Sequence, residues 1–270
     1  MDHHVRAVPL GPLHSDPVTD RPTLRDLFAR YGSDKGHQPV EPWMWEALDY
    51  GAVYDPLFAP LRDEPITFLE LGWGEWCPEL KSHANPNVGG RSAAAWRDYF
   101  TQADIHVVDI EDKVNTVPGV HLHRGSQADA DFLARLHDAT GDFDVIVDDA
   151  SHISSLTIAS FQLLWPYLKP GGIYIVEDLH SSFHSYWFGA SEASIDPGDF
   201  VTRSAFNYFR RLAAEPYFRG TYRHGPKTRL PDGSWSRYEH DCYPRKYWLE
   251  YDIAEVRFVA PQLVIVHKKP

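Results

Sequence analysis

The residues best suited to chemistry stand at the ends of two apolar runs. FDVIVDDASH covers Phe143 to His152, and GGIYIVEDLH covers Gly171 to His180. Each run of β-branched residues ends in two acids with a histidine close by. Such runs, bounded by polar residues, read as strands buried on both faces. In open α/β sheets, ligands bind at the carboxyl ends of the strands. Two neighbouring strands would therefore bring Asp148, Asp149, His152, Glu177 and Asp178 to one rim. Four carboxylates and one imidazole in one place repel each other unless a cation sits among them. Hard oxygen donors favour Mg²⁺, Mn²⁺ or Ca²⁺ over zinc. Strand ends also carry charges simply because they are exposed. Here both acid pairs end very apolar strands, where burying an unpaired carboxylate is costly. Adjacent strand residues face opposite sides, so Asp148 and Asp149 are expected to meet different partners, one a cofactor ammonium and the other a metal. His152, three residues past Asp149, is placed to act as general base beside that metal; a lone histidine there also reads as a cap or surface residue. His180 and His184 are its rivals in the next loop. Among fifteen histidines, most must be bystanders.

A second constellation precedes the first. Glu70-x-Gly72-x-Gly74 follows the apolar run ITFLEL, and Asp109 ends the next one. A glycine turn lets a ligand approach the backbone, and an acid at the end of the following strand can hold two ribose hydroxyls. Either feature alone has a plain steric or solvation explanation. Together, about one βαβ unit apart, they suggest an adenosyl cofactor. The third glycine of a dinucleotide fingerprint is missing, since Cys77 stands there, and this counts against nicotinamide. Tyr186, Trp187, Phe188, Trp235, Tyr238, Tyr247 and Trp248 concentrate in the later part of the chain. They could line an acceptor pocket, form a local core or face another subunit.

The elements that must position these residues follow from periodicity. Strands are expected at Ile66–Leu71, Ile105–Ile110, Val120–Arg124, Phe143–Asp149 and Ile173–Glu177, with helices at Arg91–Thr101, Asp129–Ala139 and Ser154–Leu168 between them. This alternation predicts an α/β fold with a doubly wound parallel sheet. Lys169-Pro170-Gly171-Gly172 reads as the turn closing the last of these helices. Ala254–Val259 and Gln262–His267 are separated only by Ala260-Pro261, which requires an antiparallel hairpin. Thr23 caps a helix through Tyr31 that Gly32 stops. A short helix is expected around Trp43–Tyr50 and another over Phe200–Ala214. Residues 1–22 read as a flexible arm. Residues 23–270 read as a single domain, with an N-terminal helical cap at 23–60 and an aromatic insert at 181–250.

Composition narrows the function classes. The chain has 270 residues, 43% of them hydrophobic, enough for a sizeable core. No apolar run approaches the length of a membrane span. The first residues lack the basic and apolar regions of a secretory signal. Two cysteines, Cys77 and Cys242, suit a reducing cytoplasm and argue against a disulfide framework or a cysteine-based zinc site. A net charge of −12 argues against nucleic acid as a partner. The arm and the insert suggest a homo-oligomer.

At this point the motifs resemble a known family. YGSDKG (Tyr31–Gly36), FAPLRDEPITFLELGWGE, AWRDYF with IHVVDI, DDASH and PGGIYIVED are similar to the metal-dependent sugar O-methyltransferases of macrolide and polyketide biosynthesis, the mycinamicin and tylosin deoxysugar enzymes and the rhamnosyl enzymes among them. The likeness runs from about residue 23 to 268. It implies a class I methyltransferase sheet of order 3-2-1-4-5-7-6. It implies S-adenosylmethionine and Mg²⁺ as cofactors and a small glycosylated natural product as acceptor. Asp149, Glu177 and Asp178 would hold the metal, which would bind a vicinal diol, and His152 would be the base. Glu70, Gly72, Asp109, Asp148, Ser92, Tyr31 and Ser33 would hold the cofactor. The stretch from Glu75 to Ser82 departs from the family in being bulky where relatives have a shorter, glycine-rich turn. The start of the GGRSAAAW helix is also less apolar. A catechol-like acceptor, a cephalosporin-tailoring reaction and a catalytically silent scaffold are the competing readings.

Overall fold

The computed structural model describes residues 21–37, 49–74, 89–183, 204–221, 228–229, 235–236, 252–259 and 262–270. Its strands are β1 (Thr67–Leu71), β2 (Asp104–Asp109), β3 (Val120–Arg124), β4 (Phe143–Asp148), β5 (Leu168–Val176), β6 (Ile253–Val259) and β7 (Leu263–Lys268). They form one sheet in the order β3-β2-β1-β4-β5-β7-β6. The first five run parallel. β7 lies antiparallel to both β5 and β6, as the hairpin requires. Two further segments, Thr228–Arg229 and Trp235–Ser236, pair only with each other.

The helices are α1 (Leu24–Tyr31), α2 (Tyr50–Phe58), α3 (Arg91–Tyr99), α4 (Ala130–Thr140), α5 (Ser154–Leu164) and α6 (Ala205–Thr221). Thr23 and Asp26 close a capping box on α1, and Gly32 ends it in the left-handed region. Strand alternation divides the core. Phe68, Val107, Val145, Val147, Ile173 and Ile175 pack beneath α1, α2 and α3, with Phe28, Tyr54, Phe58 and Trp96. Leu69, Leu71, Val108, Ile146, Tyr174 and Val176 pack on the other face, with Phe161 of α5 and Phe209 of α6.

Three elements differ from the sequence expectation. The described helix of the proline-rich segment is α2, which begins at Tyr50, where the expected helix ended; residues 43–48 lie outside the described residues. Asp49 caps it by accepting from the Ala52 amide. Lys169–Gly172 belongs to β5 rather than to a turn, because α5 passes into a short 3₁₀ turn at Trp165–Tyr167 and Leu168 then pairs with Phe143. α6 begins at Ala205 and runs beyond Ala214 to Thr221. The residue 75–82 segment, His184, both cysteines and the aromatic residues at 186–188, 238, 247 and 248 lie outside the described residues, as do the side chain of Trp235 and most of the arm.

Candidate active site

The sheet delivers acids from three adjacent strands to one face. Alternation along β1 points Glu70 the same way as Phe68, toward α1–α3. Along β4 it continues Val145 and Val147 into Asp149, and along β5 it continues Ile173 and Ile175 into Glu177. The ladder stays aligned past the strand ends: the Asp149 amide donates to Leu71 O at 3.0 Å and the Glu177 amide to Asp148 O at 3.0 Å. Glu70, Asp149 and Glu177 therefore sit abreast.

The cation that this arrangement demands comes from the chain itself. Lys35, 2% exposed, reaches in from the turn after α1. Its ammonium donates to Asp149 Oδ2, and to Glu177 Oε2 at 2.8 Å, and lies 3.5 Å from Glu70 Oε1. Burial works against the Lys35 charge, but Asp149, Glu177 and Glu70 together hold its pKa well above the usual lysine range. Two hydroxyl groups complete the inner shell. Tyr54 donates to Glu177 Oε1 at 2.7 Å, and Ser92, in the first turn of α3, donates to Glu70 Oε2 at 2.9 Å. Burial raises both glutamates against the pull of Lys35, Glu70 to about 7 and Glu177 well above its usual value. Glu70 Oε1 is buried and accepts no hydrogen bond among the described residues.

Outside this shell lies a second group. His152 Nε2 is 3.9 Å from Asp149 Oδ1 and 3.7 Å from Asp178 Oδ2. Asp149, His152 and Asp178 can offer ligand atoms within 4.8 Å of one another, a spacing that one cation can bridge. Tyr50 donates to Asp178 Oδ1 at 2.5 Å and so fixes that carboxylate. Both His152 (φ 57) and Asp178 (φ 51) adopt left-handed backbone, which non-glycine residues enter at a cost of about 1–3 kcal/mol. Such strain persists where surrounding contacts hold it, and it aims both side chains at the same gap. Each is partly exposed, 22% for His152 and 29% for Asp178.

The other expected residues occupy varied places. Asp148, on the opposite face, is 2% exposed. It accepts from Gln127 at 3.2 Å and from the Ser160 and Tyr174 hydroxyls. Burial pushes its carboxyl up to about 6. Asp109 accepts from the Trp73 amide at 2.9 Å and the Glu111 amide at 2.8 Å. Gly72 (φ +105) has a reason within the fold, since a Cβ there would lie 2.2 Å from Asp149 O. Ser33 accepts from the Lys35 amide at 3.3 Å and so shapes the turn that presents Lys35. Tyr31 donates to Asp98 of α3. His180 is exposed beyond β5.

Sequence reasoning missed Lys35, Tyr50 and Tyr54. The residue types were legible, though not their pairing. YGSDKG holds one lysine, and an acid rim at three strand ends requires a cation. Tyr50 and Tyr54, four residues apart, share one helix face.

No family model matches the chain. A tetracenomycin-C enzyme of Streptomyces olivaceus, the 8-demethyl-8-alpha-L-rhamnosyl tetracenomycin-C 2'-O-methyltransferase, is 36% identical over 194 residues, covering 72% of this chain and 45% of its own length. Mycinamicin VI 2''-O-methyltransferase of Micromonospora griseorubida is 34% identical over 170 residues, 63% of this chain and 38% of its own. The solved structure of MycE methyltransferase from the mycinamycin biosynthetic pathway, in complex with Mg and SAH, aligns with a TM-score of 0.68 at 25% identity. That alignment covers 92% of this chain and 54% of the other. The chain spans less than half the length of the curated relatives it matches. It is a homologue of the sugar O-methyltransferases of macrolide and polyketide pathways, and its sheet is the class I methyltransferase sheet.

Proposed function

We propose that this chain transfers a methyl group from S-adenosylmethionine to a sugar hydroxyl of a glycosylated natural product, with Mg²⁺ as the metal. The observation that carries the reading is the outer group: His152 and Asp178, both held in left-handed backbone, converge with Asp149 at the ends of β4 and β5. Its support is the chain's relatives, whose names describe O-methylation of a rhamnosyl tetracenomycin C and of mycinamicin VI.

A secondary alcohol is a poor nucleophile at neutral pH. A divalent cation supplies the Lewis acidity that lowers the pKa of such a hydroxyl, and S-adenosylmethionine supplies the electrophilic methyl group. Asp149 and Asp178 would hold the cation through the oxygens that face His152. Glu177 is the third acid of the set; both its oxygens already accept hydrogen bonds, so it offers only its remaining lone pairs. His152 would take the hydroxyl proton at Nε2 as the methyl group is accepted by the sugar oxygen, with S-adenosylhomocysteine as the leaving product. General-base catalysis of this kind is worth about 10²–10⁴-fold. Glu70 Oε1, buried, 3.5 Å from the Lys35 ammonium and without a hydrogen bond among the described residues, suits a cofactor donor, with Ser92 steadying its other oxygen. Asp109 is read as the ribose acid and keeps lone pairs beyond its two amide contacts. Gly72, Asp148, Ser33 and Tyr31 would serve the cofactor from behind, by shaping its walls.

The test is calorimetric titration of S-adenosylmethionine, then Mg²⁺, into chelator-treated protein, followed by methyl transfer to rhamnosylated and macrolide-sugar acceptors. Binding of both, with loss of the metal heat in Asp149→Asn and methylated sugar in the product, is expected. Cofactor binding with no metal heat overturns the metal-diol chemistry. Binding of neither overturns the enzyme reading.

A further inference from the structure

Three carboxylates on adjacent strands, pointing the same way, are unstable neighbours. The hydroxyl groups that touch them, Tyr54 and Ser92, donate hydrogen bonds but carry no charge. Lys35 alone among the described residues brings a positive charge to all three. We infer that Lys35 is a positioning residue, a built-in cation that holds Glu70, Asp149 and Glu177 in their facing arrangement when no divalent ion is present.

Several features fit this role. A lysine ammonium is a compact charge with three donors, matched to three acids on different strands; a planar guanidinium is not. The backbone under it is fixed. The Lys35 amide donates to Ser33 Oγ at 3.3 Å, and its carbonyl accepts from the Gly51 amide at 3.0 Å. Gly51 packs so closely on α1 that a Cβ would lie 2.7 Å from Arg25 Cα. The ammonium also sorts the two oxygens of Asp149. It takes Oδ2, leaving Oδ1 on the side of His152 and Asp178. Glu70, assigned to the cofactor, and Asp149, assigned to the metal, thereby share one cation. The inference rests on the proposed metal reading for its second half, since a bound divalent ion would take over part of the same neutralising task.

The experiment is thermal unfolding of the whole chain, as wild type, as Lys35→Met and as Lys35→Met/Glu177→Gln, in chelator and in Mg²⁺. Lys35→Met is expected to lose about 10 °C of Tm in chelator, as breaking a buried pair does in a chain of this size. Mg²⁺ should raise its Tm by more than it raises that of the wild type. The double variant, with one acid fewer, should regain part of the loss in chelator, which a purely packing role for Lys35 would not produce. Equal Mg²⁺ shifts in wild type and Lys35→Met, with no recovery in the double variant, overturn the proposal. If Lys35→Met does not fold, the double variant decides: folding regained supports the built-in cation, and folding still lost overturns it. Recovery in the double variant with no Mg²⁺ effect on any form supports the Lys35 role and overturns the metal reading.

Discussion

Asp148 and Asp149 are chain neighbours with opposite surroundings. Asp148 is closed in by neutral donors, Gln127, Ser160 and Tyr174, on the α5 side. Asp149, about a fifth exposed, faces a buried ammonium on one oxygen and His152 on the other. Neutral donors satisfy a buried carboxylate and fix it within the fold. A cation, a histidine and two residues of strained backbone keep a carboxylate poised toward the outside. Both regions descend from one strand, and the alternation of its side chains creates the difference.

Substitutions can break this contrast, beginning with the largest effect. His152→Ala should lower turnover by about 10²–10⁴-fold while leaving S-adenosylmethionine affinity unchanged by calorimetry. Full activity across pH in that variant would remove His152 as the base. Asp149→Asn should abolish the magnesium heat, whereas Asp148→Asn should leave magnesium affinity within a few fold; equal loss in both would erase the distinction. Glu177→Gln should weaken magnesium less than Asp149→Asn does.

The buried acid should reveal itself in stability instead. Its folded pKa, about 6, lies above the unfolded value of roughly 3.9. Between those values the folded state holds the extra proton, so this group's contribution to stability falls as pH rises, by a few kcal/mol in total. Below them both states are protonated, and the slope vanishes. Asp148→Asn should flatten denaturant-measured stability between about pH 4 and 6; an unchanged slope there would contradict the assignment. Tyr54→Phe, the smallest change, should cost about 1 kcal/mol by removing one hydrogen bond to Glu177.

Much of this architecture can be read from the chain. The apolar runs at Thr67–Leu71 and Phe143–Asp148 have one signature, and Ala260-Pro261 leaves room only for a hairpin. The acids and His152 are legible because they end those runs. The helix of the proline-rich segment is harder, because Tyr50–Phe58 includes Pro56, and its support, the Asp49 cap and the burial of Tyr54 and Phe58, comes from its setting. Lys35 is hidden for a different reason. Its partners lie on strands far along the chain, and local pattern carries no sign of which acid a turn lysine will meet. The left-handed backbone of His152 and Asp178 is equally silent in composition, since neither residue is a glycine.

The reach of Lys35 has a consequence for the order of folding. Its partners Asp149 and Glu177 lie 114 and 142 residues away. Closing loops of that size before any strand has paired sacrifices entropy that nothing yet repays. The ammonium of Lys35 is therefore expected to meet Asp149 and Glu177 only after β4 and β5 have paired. Pulse-labelled hydrogen exchange should show the Gly51 amide, bonded to Lys35 O, gaining protection after the amides of β4; simultaneous protection would contradict that sequence of events.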